Sequence, residues 1–110
     1  MKALHQMIEY LGIRLPVEVS VRTRRRADCD AFYIGVYSDK TGLLKSHKIV
    51  VYTVDAHRDF DTLLAHELIH AWQEEHKKAE IHGKHFQRLA QAMGEHFGLQ
   101  NIYMPDVDEN

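Results

Sequence analysis

Ala65-His66-Glu67-Leu68-Ile69-His70-Ala71-Trp72 is the stretch around which the rest of the chain is organised. It contains the pattern His-Glu-x-x-His. On an α-helix, residues four apart share one face, about a turn from each other, so His66 and His70 can aim two imidazoles at one point. Glu67 follows His66 by one residue and projects to the side of that point. That position suits a carboxylate that works on a water without itself being a ligand. The pattern therefore points to metal-assisted hydrolysis, with two histidines holding Zn2+ and the glutamate as general base on a zinc-bound water.

Spacing alone does not settle this, because the chain carries 9 histidines in 110 residues and is His-rich. The flanking sequence must supply a helix and a third ligand. Asp59 and Asp61 are both suitable N-caps for a helix running to about Lys77. Phe60, Leu63 to Ala65, Leu68, Ile69, Ala71 and Trp72 make that helix apolar almost all round, which predicts burial at the centre of the domain. Buried histidines and a buried glutamate need partners, and a metal ion is one. After Trp72 the run Gln73-Glu74-Glu75-His76-Lys77-Lys78 is charged, as expected of a helix emerging into water.

Catalytic zinc usually takes three protein ligands and leaves a fourth position to water. His76 gives the ligand spacing of metzincins, but those need a glycine where this chain has Gln73, and the commoner role for His76 is a solvated histidine. His82 fits better. It lies four residues before Phe86, in line with an apolar stripe of Phe86, Leu89, Ala90, Met93 and Phe97 that must face inward. Gly83 beside it lets the backbone come close or turn. His85, one residue off the stripe, is the reserve ligand or a residue facing substrate. Glu95 belongs to the polar side of the same helix.

The rest of the chain frames this pair of helices. Leu4, Met7, Ile8 and Leu11 predict an amphipathic helix over residues 1–11, capped at Gly12 and stopped by Pro16. Residues 17–23 alternate with period two and read as a strand. Residues 31–37 and 47–53 are β-branched and aromatic and read as two more. Turns at 24–30 and 38–42 separate the three. The short connections predict an antiparallel meander. A final helix spans roughly residues 84–97, with Gly98 as its cap. The expected layout is one domain over residues 1–100 and a polar tail, 101–110.

Composition bounds the remaining classes. The chain is 45% apolar, enough for one small core, and its formal charge of -2 does not suggest a polyanion partner. Its single cysteine, Cys29, excludes an internal disulfide and a cysteine zinc ribbon and reads as incidental. No signal peptide and no run of 18 apolar residues is present, so the expected setting is soluble and cytoplasmic, with no membrane partner. Arg22, Arg24, Arg25 and Arg26 place four positive charges in five positions, which makes DNA a candidate partner against the plainer role of a solvated turn. Tyr33, Tyr37, Tyr52 and Tyr103 read as packing residues, and no oxyanion stabiliser is assigned.

His66-Glu67-Leu68-Ile69-His70, followed by His82-Gly83-Lys84-His85-Phe86, resembles the SprT-like family of zinc metalloproteases. That family's pattern is H-E-x-x-H and then a third histidine in H-G-x-x-[FW]. The resemblance covers roughly residues 1–100, the minimal domain without the cysteine zinc ribbon that many members carry. It implies an α+β, zincin-like fold: an N-terminal helix, a three-stranded mostly antiparallel sheet, the metal helix and a C-terminal helix. It implies one Zn2+ per chain on His66, His70 and His82, Glu67 as catalytic base, and a protein or peptide substrate. Eukaryotic relatives degrade proteins crosslinked to DNA, which implies DNA-associated proteins as a substrate class. The rival functions are a DNA-binding module and a structural zinc domain without turnover. Retention of Glu67 argues against the latter, because a purely structural site has no use for that base.

Overall fold

The structure, a computed structural model, describes residues 2–23, 30–53, 59–78 and 80–103. In chain order the elements are α1 (Lys2–Leu11), β1 (Val17–Arg22), β2 (Ala31–Tyr37), β3 (Leu44–Tyr52), α2 (Phe60–His76) and α3 (Lys84–Phe97). This is the expected α+β, zincin-like plan. The arginines Arg24, Arg25 and Arg26 and the thiol of Cys29 lie outside the described residues. Among the described residues, no helix is long and apolar enough to cross a membrane.

Local chemistry accounts for the helix ends. Asp59 is the N-cap of α2, and its carboxylate accepts the Thr62 backbone N–H at 2.9 Å. The helix closes on Lys77 in the left-handed region, at φ 55. Gly12 and Gly98 follow α1 and α3 as their caps.

The sheet corrects one expectation. Its strand order is β1-β3-β2, with β1 parallel and β2 antiparallel to β3. Only β2 and β3 form a hairpin, closed by the Ser38 N–H bond to the Leu43 carbonyl at 2.9 Å. The sheet is therefore mixed, and the meander does not form. The reason lies in β3. Its successive residues Ile49, Val50, Val51 and Tyr52 are all 6% exposed or less, so both faces of the strand are covered. Such a strand belongs at the centre of a sheet with a neighbour on each side. β1 and β2 become the edges, and Val21 and Ile34 on them remain 54% and 45% exposed. β3 also starts earlier than its apolar run suggested, at Leu44 rather than His47.

α2 is the buried axis of the domain, as its composition predicted. Leu63, Leu64, Ala65, Leu68, Ile69 and Ala71 are each 1% exposed or less. They pack against Ile49, Val51 and Ala31 from the sheet, Met7 and Leu11 from α1, and Phe86, Ala90 and Met93 from α3. Burial of this set is the main favourable term holding the layers together. The core extends past Asn101 into the stretch expected as a polar tail. Ile102 is 3% exposed and joins the same core, with Tyr103 packed beside it.

Candidate metal centre

The two helices bring three histidines together. His66 and His70 come from α2, one turn apart, and His82 comes from the link just before α3. Their ligand nitrogens all lie within 4.8 Å of one another. The Nε2 atoms of His66 and His82 are 3.3 Å apart. Phe86, fully buried, forms the floor of the cluster. Its ring centroid lies 4.7, 5.0 and 4.9 Å from those of His66, His70 and His82. The inward stripe of α3 thus starts where the third histidine stands, as the spacing of His82 and Phe86 suggested.

Hydrogen bonds set the direction of two of the rings. His66 Nδ1 donates to the Ile102 carbonyl at 2.8 Å. His70 Nδ1 donates to Gln73 Oε1 at 3.0 Å, and Gln73 Nε2 donates in turn to the Glu80 carbonyl at 2.9 Å. A proton fixed on Nδ1 leaves Nε2 as the lone-pair nitrogen, which is the form that binds a metal. Sequence reading missed both supports. In the sequence Gln73 reads only as a residue standing where a metzincin has glycine, yet it is 4% exposed and points inward. Its signal was its place three residues after His70, within reach on the same helix face. The Ile102 carbonyl carried no sequence signal, because any residue supplies a carbonyl.

Gly83 is required by close approach. A Cβ there would stand 2.6 Å from the Glu80 Cβ, and the Gly83 N–H bonds the Glu80 carbonyl at 3.2 Å. This tight turn lets one short link deliver both the Glu80 carbonyl to Gln73 and His82 to the cluster. Glu67 is 1% exposed, in the middle of α2 next to His66.

The other candidates stand elsewhere. His76 is exposed, stacks on Trp72 at 4.3 Å and donates from Nδ1 to the Trp72 carbonyl. His85 is half-buried with its ring 6.4 Å from that of Trp72, and it is not one of the clustered histidines. Glu95 is exposed and accepts from Gln91 at 3.4 Å. Arg22 is exposed at the end of β1.

A cleft of about 390 Å³ opens beside the cluster, lined by Tyr33, His70, Gln73, Glu74, Ile81 and His82 with Lys78 at its edge. Tyr33, expected to be a packing residue, is therefore part of the cleft wall. The edge strand β2 that carries it is the sheet edge bordering this cleft. Ile81, also on the wall, is 62% exposed and gives the cleft an apolar lip.

One solved structure shares the fold: the crystal structure of the metallopeptidase zymogen of Pyrococcus abyssi abylysin, 20% identical, with a TM-score of 0.50 over 82% of this chain and 74% of that one. A search of curated proteins gave no match. The family model described as the SprT-like family matches residues 15–106, from the link before β1 to beyond Tyr103. That span takes in the whole sheet, both histidine-bearing segments and the Ile102 support, and this chain belongs to the SprT-like family.

Proposed function

We propose that this chain is a zinc-dependent metallopeptidase in which His66, His70 and His82 hold one Zn2+ and Glu67 is the general base. The observation that carries this reading is the convergence of three imidazoles, two of them with Nδ1 already committed to a hydrogen bond. The donor set fits the metal. Nitrogen ligands at about 2.0–2.1 Å from a tetrahedral zinc stand roughly 3.3–3.4 Å apart. The His66 and His82 Nε2 atoms are 3.3 Å apart.

When bound, zinc supplies Lewis acidity, which lowers the pKa of water toward about 7 and polarises a carbonyl. The remaining work falls to the chain itself. Glu67 takes the proton of the attacking water and passes it to the leaving amine. Its burial keeps bulk water away, which strengthens its electrostatic coupling to the reacting groups. A peptide substrate extended along β2 adds a strand to that edge and passes the three histidines. Ile81 meets an apolar substrate side chain at the lip.

The test is hydrolysis of labelled casein by the zinc-loaded protein. Glu67→Gln is expected to keep its zinc and lose cleavage by at least about 10²-fold. Full activity in that variant defeats the assignment of the base. Zinc binding without any cleavage by the wild type favours a structural zinc domain. The DNA-associated substrate class rests on the family resemblance and on Arg22, Arg24, Arg25 and Arg26. It predicts duplex binding that weakens steeply with salt and is lost when the four become alanine.

A further inference from the structure

His47 is a buried titratable group outside the three-histidine cluster. It sits in β3 at 1% exposure. Its Nε2 is 2.7 Å from Glu75 Oε2, and its Nδ1 is 2.7 Å from the Tyr33 hydroxyl. Glu75, on α2, also accepts the backbone N–H groups of Arg14, at 3.0 and 3.2 Å, and Leu15, at 2.9 Å. Burial pushes the Glu75 carboxyl up, but the His47 hydrogen bond, the two backbone bonds and the His47 charge together hold it below its ordinary value. An ionised carboxylate can only accept, so His47 Nε2 carries a proton. Nδ1 is then the atom that meets Tyr33.

The strand is shaped for this contact. Gly35 lies opposite His47 in the β2–β3 ladder, and Tyr33 is two residues away on the same face. A Cβ at position 35 would stand 3.2 Å from the Tyr33 hydroxyl. The glycine opens the path by which the phenol runs along β2 to reach His47. The same tyrosine lines the cleft with His70 and His82, its ring 6.4 Å from that of His70.

We propose that Tyr33 is the cleft's hydrogen-bond donor to the substrate carbonyl, stabilising the charge that develops there, and that Glu75 and His47 position it. This rests on the peptidase reading above. Burial, and then the charges of Glu74 and Glu75, push the Tyr33 hydroxyl well above its ordinary value, so it keeps its proton. Glu75 holds His47 through Nε2, and Nδ1 in turn holds the Tyr33 hydroxyl at the cleft wall, from where its proton turns to a bound carbonyl. The groups facing His47 are Tyr33 from β2 and Glu75 from α2, with Glu74 beyond. β1 sets Val17 opposite it, and Arg14 and Leu15 contribute backbone amides to Glu75.

The experiment measures kcat and KM across the neutral range, with zinc content and thermal melting, on wild type, Tyr33→Phe, His47→Gln and the double variant. The probe is an internally quenched peptide that the wild type cleaves, or labelled casein where none is found. Tyr33→Phe keeps the ring and is expected to keep zinc and KM while kcat drops about 10²-fold. The double variant should be no slower than Tyr33→Phe alone, because His47 acts through Tyr33. A Tyr33→Phe protein with wild-type kcat overturns the proposal while leaving the peptidase reading intact, provided Glu67→Gln is inactive. Loss of zinc or of the fold in Tyr33→Phe also overturns it, in favour of a structural network. Additive effects of the two substitutions overturn the positioning role. A wild type that cleaves neither probe, or a fully active Glu67→Gln, overturns the peptidase reading and this inference with it.

Discussion

Replacing Gln73 by Met is the sharpest probe of how the centre is held. Met keeps the length and nearly the volume of Gln, so the packing of a side chain 4% exposed is preserved. What disappears is the pair of hydrogen bonds that links His70 Nδ1 to the Glu80 carbonyl, at 3.0 and 2.9 Å. The two losses are unequal. Glu80 is exposed, so its carbonyl can turn to water. His70 is 6% exposed, so its Nδ1–H is left with poor solvation at a cost of about 1–3 kcal/mol. The imidazole can escape that cost by moving its proton to Nε2, the nitrogen the metal needs. The same energy therefore appears as lost metal affinity, about 10- to 100-fold, the range found for groups that orient metal-bound histidines. Competition against a chromophoric chelator measures it, with urea unfolding of the metal-free protein as the control for the fold. An unchanged zinc affinity in a folded Gln73→Met protein would show that Gln73 does not set the His70 tautomer.

Four further outcomes follow from the same geometry. Alanine at His66, His70 or His82 should abolish stoichiometric zinc binding, whereas His76→Ala and His85→Ala should retain it; loss of zinc in His85→Ala alone would transfer the third ligand to that residue. Ile102→Ala should destabilise the domain by about 2 kcal/mol in urea and weaken zinc binding too, because the carbonyl that holds His66 loses its anchor; a stability loss with unchanged affinity would separate the two. Asp59→Ala should cost about 1 kcal/mol, read from the urea midpoint, through loss of the cap on Thr62. The Glu75 carboxyl is depressed in the folded state, so its contribution is present above its ordinary value of 4.5 and is lost as pH falls through the depressed one. In metal-free protein the stability gap between wild type and Glu75→Gln should therefore shrink as pH falls below 4.5, and a gap that widens there would contradict the assignment.

The parts of the fold legible in the sequence are those whose burial is written in a period. α2 could be placed at the centre because it is apolar all round, and α1 and α3 could be oriented because each has one apolar stripe. The order of the strands was also written down, in a place where a rule about connections overrode it. Ile49, Val50, Val51 and Tyr52 form an unbroken apolar run, which marks a strand buried on both faces and hence a central one. β1, from Val17 to Arg22, alternates apolar and polar residues instead. Connection length favoured a meander, but it constrains only neighbours in sequence. Covering both faces of β3 constrains the whole sheet, and that demand prevailed.

The site divides along a different line. The clustered side chains are imidazoles, so their identity and spacing can be read from the sequence. The groups that aim them need only offer an acceptor at the right place, which a glutamine side chain or a backbone carbonyl does equally well. This is why His66, His70 and His82 could be picked out while Gln73 and Ile102 could not. Both supports also come from segments that composition marks as unimportant: the first polar residue after the apolar run of α2, and the start of a polar tail. Tyr33 and His47 belong to the same class. A tyrosine in a strand is usually packing, and only the opposing Gly35, seen in register with His47, distinguishes one whose hydroxyl has been given room to work. A search for such sites in related chains would therefore do better to look for a small residue in the strand beside a tyrosine, with a histidine opposite, than for the tyrosine itself.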